Sequence, residues 1–215
     1  MAAGGLADWL SGLQPVGRQG DAMTALPELL GKIAECQACA SSLPHAPRPV
    51  LRASTRSRIL LAGQAPGSRV HQSGIPWDDA SGRRLREWLG VDEAVFYNED
   101  CFAIVPMGFC YPGTGANGDL PPRPECRRLW HPQLLPLLTD VRLVLAVGAY
   151  AQAYHLPDRK ATLTETVAGW REYLPRRMPL PHPSPRNQLW LSRHRWFEEE
   201  LLPELKLRVA AALEP

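Results

Sequence analysis

Short apolar runs alternate along this chain with longer segments of helical spacing, and this alternation limits the fold more than any other feature. The runs are SRILLAG from Ser57, CFAIVPM from Cys101, RLVLAVG from Arg142 and MPLP from Met178. Their length and continuous apolar character are typical of buried strands. Strands that alternate with helices build a parallel sheet that is covered on both faces. We therefore predict an α/β fold with three layers, α/β/α, around a mainly parallel four-stranded central sheet.

The segments between and around these runs carry the helical pattern. They are Thr24 to Cys39, GRRLREWLG with Ser81 as its cap, RPECRRLWHPQLLPLL, AYAQAYHL, LTETVAGWREYL and the closing RWFEEELLPELKLRVAAAL. Neither residues 1–23 nor Ser41 to Thr55 have the length or composition of a second domain. The sequence thus predicts one domain over residues 1–215, with an irregular N-terminal extension over about residues 1–23.

Charge and hydropathy narrow the class of protein. The formal net charge is only +2, so no global electrostatic case for nucleic-acid binding exists, although arginine pairs such as Arg83-Arg84 could form basic rims. The most apolar stretch, Leu143 to Tyr154, contains Gln152 and is too short to cross a bilayer. The N-terminus also lacks a basic start followed by an apolar stretch. We expect a cytoplasmic protein without a membrane segment.

Three unusual loops each follow a predicted strand. They are GQAPG at residues 63–67, PMGFCYPG at residues 106–113 and HPSPRN at residues 182–187. Parallel sheets bind ligands beyond the carboxyl ends of their strands, so one crevice should receive all three loops. The glycines of GQAPG permit close backbone approach and the prolines of HPSPRN fix its backbone. Trp77, between Pro76 and Asp78, offers a flat face on which a base could stack.

The cysteines form a pattern of their own. Cys36 and Cys39 make a CxxC, Cys110 and Cys126 stand sixteen positions apart, and Cys101 is left over. An odd number of cysteines makes a disulfide framework a poor explanation. Four thiolates can hold either zinc or a four-iron cluster. The alternative from spacing alone is that these cysteines are buried and inert.

Taken together, these motifs resemble the uracil-DNA glycosylase superfamily. GQAPG is similar to the first motif, GEAPG, of the iron-sulfur uracil-DNA glycosylases, and GIPWDDASGRRLREWLG is similar to the stretch that follows it there. The order of the cysteines matches the cluster ligands of that branch. HPSPRN resembles the second superfamily motif in its single-strand-selective monofunctional form. The resemblance spans about Cys36 to Asn187. It implies a monomeric DNA glycosylase that removes uracil or another deaminated base from DNA and so initiates base-excision repair.

The resemblance also implies a role for individual residues. His182 would donate a hydrogen bond to the leaving base, and Gln64 would orient the attacking water. Trp77 would stack on the extruded base in place of the family's usual Phe. The remaining DNA- or base-binding residues are Gly63, Ala65, Pro66, Gly67, Pro106, Ser184, Pro185, Arg186 and Asn187, with Ser184 on a flanking phosphate and Pro185 and Arg186 entering the duplex. A [4Fe–4S] cluster, or less plausibly zinc, would be held by Cys36, Cys39, Cys110 and Cys126.

Two departures from the family pattern bear on chemistry and substrate. The iron-sulfur branch has Glu where this chain has Gln64, so the motif lacks a carboxylate to accept a proton, and Asp78 or Asp79 could substitute. Pro106 stands where that branch has the Asn that reads uracil, so the excised base stays open among uracil, hypoxanthine, xanthine and other damaged bases. These departures favour, as an alternative, a damaged-DNA-binding protein with weak or no catalysis. A further alternative is an unrelated enzyme of the doubly wound class that acts on a free nucleotide.

Overall fold

A four-stranded, all-parallel sheet forms the centre of the computed structural model, which describes residues 19–116 and 118–214. In chain order the strands are β1 (Ile59–Ala62), β2 (Phe102–Ile104), β3 (Thr114–Gly115), β4 (Gly118–Asp119), β5 (Leu143–Val147) and β6 (Arg177–Leu180). The central sheet has the order β2-β1-β5-β6, while β3 and β4 form a separate antiparallel hairpin. The predicted three-layer α/β/α fold and its four central strands are confirmed.

Helices surround this sheet. The α-helices are α1 (Gln19–Ala34), α2 (Ser68–Ser73), α3 (Ala80–Leu89), α4 (Glu93–Tyr97), α5 (Pro124–Leu129), α6 (His131–Leu134), α7 (Gly148–His155), α8 (Leu163–Ala168), α9 (Gln188–Arg193) and α10 (Leu202–Leu213). Short 3-10 turns cover Ala40–Ser42, Leu135–Leu137, Trp170–Tyr173 and Pro185–Asn187, and a π-helical turn over Phe197–Leu201 precedes α10.

The central strands are continuous apolar runs because both faces of the sheet are covered. Successive side chains of a strand point to opposite faces. Accordingly, Ile59 and Leu61 belong to one hydrophobic cluster with Phe197 and Leu205, whereas Leu60 packs in a second cluster with residues of α1 and α6. Each residue of β1 is fully buried. The sheet is therefore a rigid support for the loops that leave its carboxyl edge.

Several helix boundaries differ from the sequence prediction. The cap of α3 is Asp79, not Ser81: the Asp79 Oδ1 atom accepts a hydrogen bond from the Gly82 N–H at 2.8 Å. A carboxylate in that place also complements the positive end of the helix dipole. The predicted helix over residues 123–138 is broken into α5, α6 and a 3-10 turn, because Pro132 and Pro136 each lack the N–H that a continuous helix needs.

The N-terminal prediction was also partly wrong. Helix α1 begins at Gln19, so residues 19–23 are helical, and it ends at Ala34, which leaves Cys36 and Cys39 in the turn that follows. The Cys36 N–H closes that turn on the Ile33 carbonyl at 3.0 Å. Residues 1–18 of the predicted irregular extension lie outside the described residues. Across the described ranges, none of the helices combines the length and the apolar character that a bilayer span requires.

Two histidines are buried in the interior beside the sheet. His131 donates from Nε2 to the Pro106 carbonyl at 3.1 Å, and burial lowers its pKa to about 4. Burial lowers the pKa of His155 to about 3, and neither ring nitrogen of His155 has a hydrogen-bond partner among the described residues. Both rings are therefore neutral in the folded protein.

We predict that His155→Leu flattens the pH dependence of stability. Since the folded state holds His155 below its ordinary pKa, the unfolded chain binds more protons, and stability is lost as the pH falls below about 6.5. His155→Leu removes the titrating ring, so this loss of stability at low pH disappears. The substitution also removes an unpaired buried polar group. Melting temperatures at about pH 7.5 and about pH 5 measure the effect. His45→Leu, which removes an exposed histidine, serves as the control, and an unchanged slope in His155→Leu would contradict the prediction.

Candidate functional site

A cavity of about 290 Å³ opens at the carboxyl edge of the sheet, beyond β1, β2 and β6. Its volume is near the lower end of the range for small-ligand pockets, roughly 300–1,000 Å³. Its walls are Val50, Gly63, Gln64, Ala65, Pro66, Gly67, Val70, Pro76, Trp77, Asp79, Ser81, Ile104, Pro106, Asp119, His182, Ser184 and Arg186. The loops after the three strands thus meet in one crevice.

The structure brings together most of the residues that the sequence singles out. Every predicted catalytic and base-binding residue lines the cavity except Pro185 and Asn187. Pro185 is exposed at the start of a 3-10 turn, and Asn187 lies behind the wall, where its Nδ2 atom donates to the His182 carbonyl at 2.7 Å. Asp78 is not among the lining residues and instead lies 3.7 Å from Arg69 in an ion pair. The roles assigned to these residues stay predictions.

The turn at residues 63–67 forms the floor of the cavity. Its backbone is tied to the segment after β2, because the N–H groups of Met107 and Gly108 donate to the carbonyls of Gly63 and Gln64 at 2.8 and 2.9 Å. The Gln64 side chain donates from Nε2 to the Leu120 carbonyl at 3.0 Å. The Oε1 atom of that amide can then accept a hydrogen bond from a ligand or a water, and the second N–H of Nε2 can still donate one.

Trp77 forms one wall and has an uncommon backbone. Its φ angle is +58°, the one positive value at a non-glycine position in the described chain. Such strain clusters at functional sites. The indole packs over Gly63, where a Cβ atom would lie 3.0 Å from the Trp77 Cζ2 atom, and its ring centroid is 5.5 Å from that of His182. Gly82 permits this geometry, since a Cβ atom there would lie 1.8 Å from the Trp77 carbonyl oxygen.

His182 follows β6 and has a defined protonation state. The backbone N–H of Ser184 donates to its Nδ1 atom at 3.2 Å, so the proton of the neutral ring is on Nε2. Burial lowers the pKa of His182, while the carboxylates of Asp79 and Asp119 act in the opposite direction and raise it. The net shift is downward, so the ring in this cavity is a neutral N–H donor.

The rest of the HPSPRN loop is fixed by short-range hydrogen bonds. The Ser184 Oγ atom accepts from the Arg186 N–H at 3.2 Å and caps the 3-10 turn that follows. Arg84, on α3, donates from Nη1 to the Ser184 carbonyl at 3.3 Å. Because the Ser184 oxygen is used as an acceptor, its hydroxyl proton is available to a ligand. Arg186 is exposed at the rim of the cavity.

Pro106, which the resemblance to the iron-sulfur branch aligns with a base-reading amide, lies in the wall of the cavity. Its ring has no polar atom, and its carbonyl already accepts the hydrogen bond from His131. The Pro106 side chain therefore offers no hydrogen-bonding group to a ligand in the cavity.

The four predicted ligand cysteines are neighbours in space. The pKa values of Cys39, Cys110 and Cys126 are raised by burial first and by other thiols of this set as well, to about 11 for Cys110 and about 12 for Cys126. The Trp130 indole donates to Cys36 Sγ at 3.3 Å and the Phe109 N–H to Cys126 Sγ at 3.4 Å, as is common around cluster thiolates. Within residues 19–116 and 118–214, no three His, Cys, Asp or Glu side chains converge tightly enough to hold a metal ion. The cofactor stays a prediction.

Sequence reasoning missed Asp119. It lies in the β3–β4 hairpin, inside the Gly- and Pro-rich loop between Cys110 and Cys126, for which the sequence predicted no functional residue. The Asn117-Gly118 pair is a strong hairpin signal, and it could have indicated that this loop folds back as a hairpin. The sequence did not indicate that Val50, Val70 and Ile104 line the cavity, because isolated apolar residues usually belong to the core.

Comparison with known protein families gives a match to the model of the Uracil DNA glycosylase superfamily over residues 52–206. The matched range contains the central sheet, the 63–67 turn, Trp77 and the loop with His182. It begins after Cys36 and Cys39, so half of the predicted ligand set lies outside it. The match is to the superfamily as a whole and does not distinguish its branches.

We predict that Gly82→Ala disrupts the site. The new methyl group would collide with the Trp77 carbonyl, so the indole and the His182 ring beside it must move, at a cost of about 1–3 kcal/mol of stability. Chemical denaturation measures the loss. Gly31→Ala in α1 is the matched control, because a Cβ atom there meets nothing within 4 Å. Equal stability of the two variants would contradict the described contact.

Proposed function

The chain belongs to the uracil DNA glycosylase superfamily, and on that basis we propose that it is a monofunctional DNA glycosylase that hydrolyses the N-glycosidic bond of uracil or another deaminated base in DNA. The observation that carries this proposal is the state of His182. A neutral imidazole, held by the Ser184 N–H and with its proton on Nε2, lines a base-sized cavity beside an indole wall. Such a preset donor suits the charge that base excision develops.

In this reaction the bond between the sugar and the base breaks, and the base leaves with the bonding electron pair. When the base is uracil, the negative charge spreads to the base oxygen next to the departing nitrogen. His182 Nε2–H donates to that oxygen, and the bond strengthens as the charge grows. A neutral donor is the better match here, because an imidazolium would be costly in this buried position. The lowered pKa of His182 therefore favours the neutral donor that the mechanism uses.

The cavity supports a flipped-out base. Enzymes that act on a base in DNA must extrude it from the stack and enclose it. Trp77 offers a flat wall to the base, and the backbone of the 63–67 turn offers polar groups to its edge. With Pro106 in place of an amide, the pocket accepts a wider set of deaminated bases than a strict uracil reader would.

The rim of the cavity supports contact with DNA. Arg84 contacts the HPSPRN loop from α3, Arg186 belongs to that loop, and the Ser184 hydroxyl is free to donate to a phosphate. Pro185 and Arg186 are exposed and held on a stiff loop, so they can enter the space that the flipped nucleotide vacates. Phosphate contacts of this kind make binding fall steeply with salt.

A second candidate function is binding of damaged DNA without catalysis. The observations that favour it are Gln64 and Pro106, which supply neither the carboxylate nor the amide of the iron-sulfur enzymes. Such a protein would retain the cavity and the DNA-facing loop. Tight binding to DNA that contains a deaminated base, with no base release, would select it.

We further propose that Cys36, Cys39, Cys110 and Cys126 hold a [4Fe–4S] cluster. Hydrogen bonds from Trp130 and from the Phe109 backbone to two of these sulfurs support the assignment. The group would be structural. It would tie the turn after α1 to the segments on either side of the β3–β4 hairpin and so hold that hairpin over the cavity.

We predict base release by the wild-type protein and its loss in His182→Ala. Single-turnover assays with oligonucleotides that carry uracil, hypoxanthine or xanthine, scored by strand breakage after alkali, should give abasic sites on at least one of them. Loss of the preset donor should lower that rate by about 100-fold or more. His194→Ala, outside the cavity, is the control and should retain the rate. Absence of base release from every substrate would contradict the proposed function.

We also predict that protein purified without oxygen is brown, absorbs broadly in the visible range and contains iron and sulfide. Cys126→Ala should lose the colour, whereas Cys101→Ala should retain it, because Cys101 is not part of the four-thiol set. Colourless protein with one bound zinc per chain would overturn the iron assignment.

A further inference from the structure

Two carboxylates line the cavity, those of Asp79 and Asp119. Asp79 is already engaged, because its Oδ1 atom caps α3 through the Gly82 N–H at 2.8 Å. Asp119 is different: among the described residues, the hydrogen-bond donor to its Oδ1 atom is the Thr114 hydroxyl, at a long 3.5 Å. Asp119 is thus the cavity carboxylate with the most capacity left for a ligand or a water.

Asp119 is held in place by its hairpin. The Leu120 N–H donates to the Gly113 carbonyl at 2.8 Å, and the Leu120 carbonyl accepts from Gln64 Nε2 at 3.0 Å. On the inner side of the hairpin the Tyr111 hydroxyl is hydrogen-bonded to the Thr114 hydroxyl. These contacts fix β4 over the cavity without using the Asp119 carboxylate.

The carboxylate of Asp119 faces the turn that the family uses for the attacking water. A Cβ atom built at Gly67 would lie 3.5 Å from Asp119 Oδ2, an ordinary van der Waals distance, so the carboxylate lies next to this turn. Asp79 and, to a smaller extent, Asp119 also act on His182, since their charges raise the pKa of that ring against the effect of burial. One carboxylate therefore stands close to both the 63–67 turn and the imidazole.

We propose that Asp119 is the catalytic carboxylate of this protein and receives the proton of the water that attacks the sugar. The inference rests on the proposed glycosylase function and adds the group that Gln64 cannot supply. Gln64 orients the water through its Oε1 atom, and the carboxylate comes from the hairpin, fifty-five positions further along the chain.

The step is balanced as a hydrolysis. The bond between C1′ of the sugar and the base nitrogen breaks, and its electron pair leaves with the base, whose oxygen is held by His182 Nε2–H. The water oxygen forms the new bond to C1′, and one water proton passes to Asp119. That proton then leaves to the departing base or to solvent. Before the water adds, the negative charge of Asp119 also stabilises the positive sugar.

Asp119→Asn tests the proposal on the base that the wild-type protein releases. Under single-turnover conditions with saturating enzyme, we expect the rate to fall by about 100-fold or more, which is the usual contribution of a general base. Affinity for the same DNA with a non-cleavable sugar should stay within about threefold of wild type, because the amide keeps the shape of the side chain. Asp140→Asn is the matched control and should retain the wild-type rate, since Asp140 is exposed and lies outside the cavity.

Chemical rescue gives a second measurement. Added formate should raise the rate of Asp119→Ala, because a small carboxylate can enter the space of the missing side chain, and it should leave His182→Ala unchanged. A wild-type rate in Asp119→Asn would overturn the inference while leaving the proposed function intact. An equal loss of rate and of DNA affinity in Asp119→Asn, without rescue of Asp119→Ala, would also overturn it. Failure of the wild-type protein to release any base would overturn both.

Discussion

The hydrogen bond from the Ser184 N–H to His182 Nδ1 is the interaction on which the account of the site depends. It assigns the proton of the ring to Nε2, and burial keeps the ring neutral. Neither effect alone would suffice, because a neutral ring with its proton on Nδ1 would offer an acceptor to the base. The loop can make this bond because its prolines leave the backbone little freedom, and because Asn187 and Arg84 fix the carbonyls of His182 and Ser184.

The central sheet places the His182 loop beside the other residues of the cavity. A parallel sheet delivers the loops after β1, β2 and β6 to one edge, and hydrogen bonds between the 63–67 turn and residues 107–108 join two of them. Trp77 joins the third, since its indole packs on Gly63 on one side and on His182 on the other. The β3–β4 hairpin closes the remaining side through Gln64 and Leu120 and brings in Asp119. Backbone strain at Trp77 is tolerated because Gly82 leaves room for it.

The sequence was most informative where one local signal decides the structure. Continuous apolar runs predicted all four central strands, and the loops that follow β1, β2 and β6 were correctly expected at one edge. Helix ends were less predictable, because the choice between Asp79 and Ser81 as the cap depends on the path of the chain at Trp77. Asp119 could not be assigned from the sequence, since its approach to Gly67 arises from a long-range fold-back of the hairpin. The roles of Pro106 and Arg186 depend on a bound base and a bound duplex, which neither sequence pattern nor loop geometry specifies.

The protonation state of His182 is therefore the quantity to measure. Nitrogen NMR of ¹⁵N-histidine-labelled protein reports the state of each ring nitrogen, and a spectrum of His182→Ala identifies the signals of His182. At about pH 6.5, where an ordinary histidine is half protonated, the account predicts that the His182 ring is protonated to a smaller extent than that, and that its neutral form has the proton on Nε2 and none on Nδ1. A protonated fraction of half or more at that pH, or a neutral form with its proton on Nδ1, would contradict it.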